Sequence, residues 1–286
     1  MISGRVVGGR YLLLDPLDRR GFGPAYRAED RVTGRNVVVT EIRVPADGES
    51  PDGMRDRLLT EVRAAGRLRH SGLVGVLDLI TDRDADGTLR EHLVTERPDA
   101  RSLSEILLDG PLPPHRAATV GRDVLAALRA IHADGGTHGG LDADSVLVTP
   151  DDRGLVTDVG LARAVGAARA PVPGDEGGGF TPPERDPGRP GTGDTPAADL
   201  WSLGAVLHHA VGGQPPPGGP LEAAIEELTR PDPAARGEPA EVDLLLERAA
   251  VPPSSGNDLG RNRWILLAVA GLLLLVVVVI VLVQIR

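Results

Sequence analysis

Short runs of β-branched residues and leucine dominate the first hundred positions. Residues 11–17 (YLLLDPL), 35–44 (RNVVVTEIRV), 73–80 (LVGVLDLI) and 88–96 (TLREHLVTE) are expected strands, divided by turn chemistry such as Asp86-Gly87. One helix interrupts them, because Met54, Leu58, Val62, Ala65 and Leu68 recur at intervals of three and four. Beyond residue 100 the pattern turns helical. Ser102 with Glu105 predicts a capping box, and Val120, Val124, Leu128 and Ile131 mark one face of a longer helix that stops at Gly135-Gly136. Val146 to Val148 and Gly154 to Thr157 flank Asp151-Asp152 as a small hairpin. Near the C-terminus the periodicity vanishes. Trp264 to Val283 is a continuous apolar run of 20 residues, the length that spans a hydrocarbon core as a helix.

Composition sharpens this picture. The formal charge of −10 excludes an extended basic surface of the kind that tracks nucleic acid. Every one of the 31 basic residues is arginine, so no lysine chemistry is available, and the absence of cysteine removes disulfides, thiol nucleophiles and thiolate metal sites. Aromatic residues make up only 2%, which leaves packing to Leu, Val, Ile and Ala. Arg261 and Arg263 precede the apolar run, placing the N-terminal side in the cytoplasm by the positive-inside rule, and the first thirty residues carry no secretory signal. The stretch 251–262 (VPPSSGNDLGRN) reads as a flexible tether, whose Ser254 and Ser255 are linker residues.

Several landmarks in a fixed order carry a family resemblance. They are Gly21-Phe22-Gly23 with Tyr26, Glu61 on the first helix, His138-Gly139-Gly140-Leu141 before Ser145-Val146-Leu147, and Asp158-Val159-Gly160-Leu161-Ala162-Arg163. Pro182-Pro183-Glu184, Asp199-Leu200-Trp201-Ser202-Leu203-Gly204 and Asp232-Pro233-Ala234-Ala235-Arg236 complete them. In this order they resemble the protein kinase fold, in particular the membrane-anchored bacterial serine/threonine kinases, from about Val7 to Ala250.

The resemblance implies an α+β, two-lobed protein-kinase-like fold, to which the apolar run adds one C-terminal transmembrane helix. It comprises a β-rich N-lobe (1–98), a helical C-lobe (99–250), a juxtamembrane tether (251–263), the membrane helix (264–283) and a short extracytoplasmic tail (284–286). The C-lobe is trimmed where Gly218-Gly219-Pro220 bridges a normally longer segment.

Phosphoryl transfer needs a glycine loop over the phosphates, a strand lysine, Asp and Asn ligands for magnesium, and an Asp that accepts the hydroxyl proton. Against that pattern, the first two loop glycines are Asp18 and Arg20, leaving Gly21 and Gly23, while the strand lysine is Thr40. The base position is Gly140, which has no side chain to take a proton, and the magnesium-binding Asn is Ser145. Asp158 is the one retained metal-binding landmark. Asp142 and Asp144 do not stand where the base belongs, and Val159 replaces the usual Phe. Thr181 is the only hydroxyl residue from Gly160 to Glu184, which argues against activation by loop phosphorylation.

Residues with structural duties remain. The resemblance implies that Glu184 pairs with Arg236 and that Asp199 holds the backbone of the His138 loop, while Glu61 is left as a solvated carboxylate or a partner for an arginine. A catalytically inactive, membrane-tethered domain is therefore expected, acting as a cytoplasmic scaffold or regulator for protein partners such as active kinases or phosphothreonine-binding domains. No nucleic acid and no cofactor are expected. The alternative is an atypical ATP-binding kinase or a nucleotide- or metal-responsive switch, with Gly21, Gly23 and Asp158 as a vestigial ATP and magnesium site.

Overall fold

The computed structural model describes residues 4–17, 22–43, 51–83, 87–165, 181–185 and 193–252. The expected membrane helix at Trp264 to Val283, its tail, all but the start of the tether, and Asp18, Arg20 and Gly21 lie outside them. No helix among the described residues is long and apolar enough to cross a membrane. Met1–Ala250 forms one compact unit and Val251–Arg286 another.

Six strands, β1 (Val6–Val7), β2 (Tyr11–Leu17), β3 (Ala25–Asp30), β4 (Asn36–Ile42), β5 (Val76–Arg83) and β6 (Leu89–Glu96), build an antiparallel sheet of order β1-β2-β3-β4-β6-β5. Its two faces follow from alternation along the strands. Val37, Val39 and Val94 join Tyr11, Leu13 and Ala28 on one side. On the other, Ile42 and Leu93 meet Met54, Leu58 and Val62 of helix α1 (Pro51–Ala65).

The strand expected at 73–80 begins only at Val76, because Leu73 instead forms a lone parallel bridge to Val156. Helix α1 ends before Leu68, which lies in the turn that follows. Strand β3 was absent from the sequence reading. Its AYRAED pattern buries Asp30, and the ion pair with Arg10 that makes this burial tolerable brings together residues twenty positions apart.

The helical part starts from a three-stranded sheet, β7 (Arg101–Ser102), β8 (Val146–Val148) and β9 (Gly154–Val156), in the order β7-β8-β9. Helix α2 (Leu103–Leu107) opens with the capping box, in which Ser102 Oγ accepts from the Glu105 amide at 3.2 Å and Glu105 Oε2 accepts from the Ser102 amide at 3.3 Å. Helix α3 (Pro114–Ala133) packs Val120, Val124, Leu128 and Ile131 into the core, each contributing about 1.5–3 kcal/mol by removal from water. After the short helix α4 (Leu161–Val165) come α5 (Pro196–Ala210), α6 (Pro220–Leu228), a single 3-10 turn (Pro233–Ala235) and α7 (Pro239–Ala249). Thr195 caps α5 by accepting from the Ala198 amide at 3.1 Å.

One buried side chain makes the sheet pH-sensitive. His92 on β6 is only 2% exposed, and burial holds its pKa below the usual histidine value. The folded chain therefore stays neutral at His92 while the unfolded chain takes up a proton. Stability is expected to fall as pH drops below about 6.5, and a His92→Leu chain should lose part of that slope in urea titrations across pH 5–8.

Candidate functional site

Several landmark residues gather where the large sheet and helix α1 meet α4. Thr40 sits on β4 opposite Ala25 and Leu93, on the sheet face that looks toward α1. Its short, uncharged side chain is buried and cannot hold a polyphosphate by charge. Glu61, on the facing side of α1, forms its ion pair with Arg163 of α4. Arg57, one turn earlier, donates through Nε to the Ala164 carbonyl at 3.2 Å.

These polar ties fasten α4 beneath α1, and an apolar cluster seals the junction: Leu161, Ala164 and Val165 pack with Leu58, Val62 and Phe22. Phe22 belongs to the glycine loop and is only 8% exposed, so this part of the loop is held by the core. Gly23 has a structural reason of its own. A Cβ there would lie 1.9 Å from the Glu41 carbonyl oxygen, so the close approach to β4 admits only glycine.

The His138 loop is fixed from two sides. Asp199 accepts from the backbone N–H of His138 at 2.8 Å and of Gly139 at 2.9 Å, and its Oδ2 also lies 2.8 Å from His132 Nε2. The carbonyl of Thr157, 2.9 Å from His138 Nε2, can only accept, which assigns the ring proton to Nε2. Nδ1 is then free to accept from the Gly140 N–H at 3.3 Å.

Gly140 itself faces α4. A Cβ built at this position would stand 2.8 Å from the Ala162 Cβ, which is closer than two side chains approach, so the position where the family keeps its proton acceptor is a packing notch for α4.

The remaining polar groups are largely committed to one another. Asp142 Oδ1 accepts from the amides of Asp144 at 3.0 Å and Ser145 at 2.9 Å, and from Ser145 Oγ at 3.1 Å. The Ser145 hydroxyl also accepts from the Asp142 amide at 2.9 Å and is fully buried. Asp144 receives the Ser104 hydroxyl. Asp158 keeps a left-handed backbone with φ of 66°, a conformation that non-glycine residues adopt at a cost, and its Oδ1 lies 3.4 Å from Thr157 Oγ1. Among the described residues, no group of three or more His, Asp or Glu side chains could hold a metal ion. The donor set does not fit magnesium-bound ATP: Ser145 stands where an amide oxygen would serve as ligand, and Thr40 supplies no cation.

Farther down the helical part, Arg236 grips Glu184 with both ends of its guanidinium, at 2.5 and 2.7 Å, and donates to the carbonyls of Ala197 at 2.8 Å and Arg230 at 3.0 Å. Burial is the largest single influence and pushes the Glu184 carboxyl up, but the Arg236 hydrogen bonds, a backbone hydrogen bond and the charges of Arg236 and Arg185 together hold the pKa below the usual glutamate value.

The structure thus sets Glu61 and Gly140 against α4, ties Ser145 to the segment that leads through Asp158 into α4, leaves Thr40 on the sheet face toward α1, and joins His138 to Asp199 and Glu184 to Arg236. Sequence reasoning missed the junction of α1 with α4, namely Arg57 on α1 and Ala162 and Arg163 on α4. The one signal for Arg163 was a helix glutamate in a chain without lysine. His132 and Ser104 were missed as well, because their partners lie 67 and 40 positions away.

A family profile for the protein kinase domain matches residues 16–232. Relatives include the probable serine/threonine-protein kinase PknB of Corynebacterium glutamicum, 30% identical over 74% of this chain and 32% of its own length. The serine/threonine-protein kinase PknD of Mycobacterium tuberculosis is 34% identical over 73% of the chain and 30% of its own length. A DNA damage-responsive serine/threonine-protein kinase, RqkA of Deinococcus radiodurans, is 34% identical over 93% of the chain and 41% of its own length. The chain thus spans well under half the length of each.

Proposed function

The chain belongs to the protein kinase domain family, and we propose that within it this member no longer transfers phosphate but serves as a membrane-tethered protein-binding scaffold or regulator at the cytoplasmic face. The observation that carries this reading is the contact between Gly140 and Ala162, where the base is missing and α4 occupies the space it would need. Proton abstraction from a substrate hydroxyl has no acceptor at that point. Three further features agree: Thr40 in place of a cation, Glu61 engaged by Arg163, and Ser145 consumed by Asp142.

What remains intact is the framework. Buried pairs such as Glu184–Arg236 maintain a surface that partners can read, and a surface needs no turnover. The expected partners are proteins, such as active kinases or phosphothreonine-binding domains, with the apolar run at Trp264 to Val283 as anchor. The retained Asp158, in its left-handed conformation, favours as a second reading a nucleotide- or metal-responsive switch.

The test is incorporation of labelled phosphate from ATP. Neither the natural chain nor a Thr40→Lys/Gly140→Asp/Ser145→Asn chain should label itself or a generic protein substrate, since the restored aspartate meets Ala162. That overpacking should also destabilise the variant by about 1–3 kcal/mol. Transfer by the natural chain that Asp158→Ala abolishes would overturn the proposal.

A further inference from the structure

In an acidic chain, one face is basic. Arg63, Arg67 and Arg69, at the end of α1 and in the turn beyond it, and Arg129 on α3 are exposed, and none has a carboxylate partner among the described residues. Arg67 and Arg69 bend back onto the carbonyls of Arg63, Gly66 and Leu68, which steadies their stems but leaves their charge uncompensated.

Arg129 and His70 line one shallow groove together with Ala126, Ala130 and Pro239. Arg129 also lines the adjoining groove that contains Ala250, the last residue of the compact unit. Of the carboxylates lining that groove, Asp243 pairs with Arg122, which also meets Glu247, and Asp123 accepts from the Gly154 amide. Asp134, beyond the end of α3, is an exposed carboxylate close by in sequence.

We infer that this arginine face is a docking surface for the anionic lipid headgroups of the membrane. The inference rests on reading Trp264 to Val283 as membrane-spanning. The chain leaves the compact unit at Ala250, in the groove that Arg129 also lines, and thirteen residues separate it from Trp264, a linker length whose reach is on the order of 20 Å. At that distance an exposed arginine lies within a few Debye lengths of the leaflet, and each one that reaches the surface favours the docked state roughly fivefold. The rest of the domain is acidic and is repelled by the same lipids, so one orientation is selected. A protein partner rich in Asp and Glu would also match the charge, but nothing brings such a partner to this face as the tether brings the leaflet.

The test reconstitutes the full chain in nanodiscs of neutral phosphatidylcholine and of the same lipid with 30–40% phosphatidylglycerol (on the order of one anionic headgroup in three). Amide hydrogen exchange is followed at residues 60–72 and 126–133. Exchange should slow about tenfold in anionic discs only, and the protection should disappear in 0.5 M salt (Debye length about 4 Å) and in an Arg67→Glu/Arg69→Glu/Arg129→Glu chain. Equal exchange in both discs would overturn the docking surface, as would protection produced by an acidic peptide and not by lipid. Failure of the chain to co-purify with any disc would instead overturn the anchor on which the inference rests.

Discussion

An Arg236→Met chain is expected to unfold with about 3–5 kcal/mol less free energy than the natural chain, because removing one partner of a buried pair leaves the other charge uncompensated. The side chain of Arg236 is only 1% exposed and that of Glu184 19%, so little water can replace the lost guanidinium. Two carbonyls, of Ala197 and Arg230, lose their donor in the same substitution. Urea titration at neutral pH reads the loss, and a Glu184→Met/Arg236→Met chain should lose less than the single variant because no charge is stranded.

The pH dependence has a definite sign. Glu184 has a depressed pKa when folded, so the pair stabilises above the usual glutamate value of about 4.3, and the contribution is lost as pH falls through the folded value. The gap between natural and Arg236→Met chains should therefore narrow in acid.

An Asp199→Ala chain is the second large effect. It leaves two buried backbone N–H groups, of His138 and Gly139, without an acceptor and deprives His132 of its partner. Each orphaned buried group costs about 1–3 kcal/mol, so a total of about 3 kcal/mol or more is expected. The damage should be local as well as global. Amide exchange at residues 137–141 should quicken beyond what the lower global stability explains, because Asp199 is what ties that loop to α5. An Asp199→Asn chain, which keeps one carbonyl oxygen as acceptor, should fall between the two. If Asp199→Ala left both stability and exchange unchanged, the framework would not depend on the carboxylate.

These two residues also show what a sequence can carry. The Glu184–Arg236 and Asp199 contacts were implied by the resemblance to the protein kinase fold, while β2, β4 and β6 follow from β-branched and leucine-rich runs and α3 from helical spacing. That Gly140 has no side chain and Thr40 no charge can likewise be read directly from the chain. What replaced the lost groups could not be read. Helix α4 has only five residues, too few for a periodicity to register, and its ties run from Arg163 to Glu61 and from Arg57 to Ala164 across 102 and 107 positions. The notch at Gly140 is likewise a property of two backbones approaching each other, which one position cannot reveal. Strand β3 was missed because its polar residues are stabilised by distant partners.

The proposed loss of ATP and magnesium binding is read by thermal unfolding of the full chain in detergent, with and without millimolar ATP, in magnesium or in EDTA. A ligand bound only to the native state raises stability by RT ln(1 + [L]/Kd), so a site with Kd of about 10 μM would add about 2.7 kcal/mol at 1 mM. Superimposable melting curves under all conditions are the expected result. A magnesium-dependent rise in Tm with ATP that Asp158→Ala removes would contradict it.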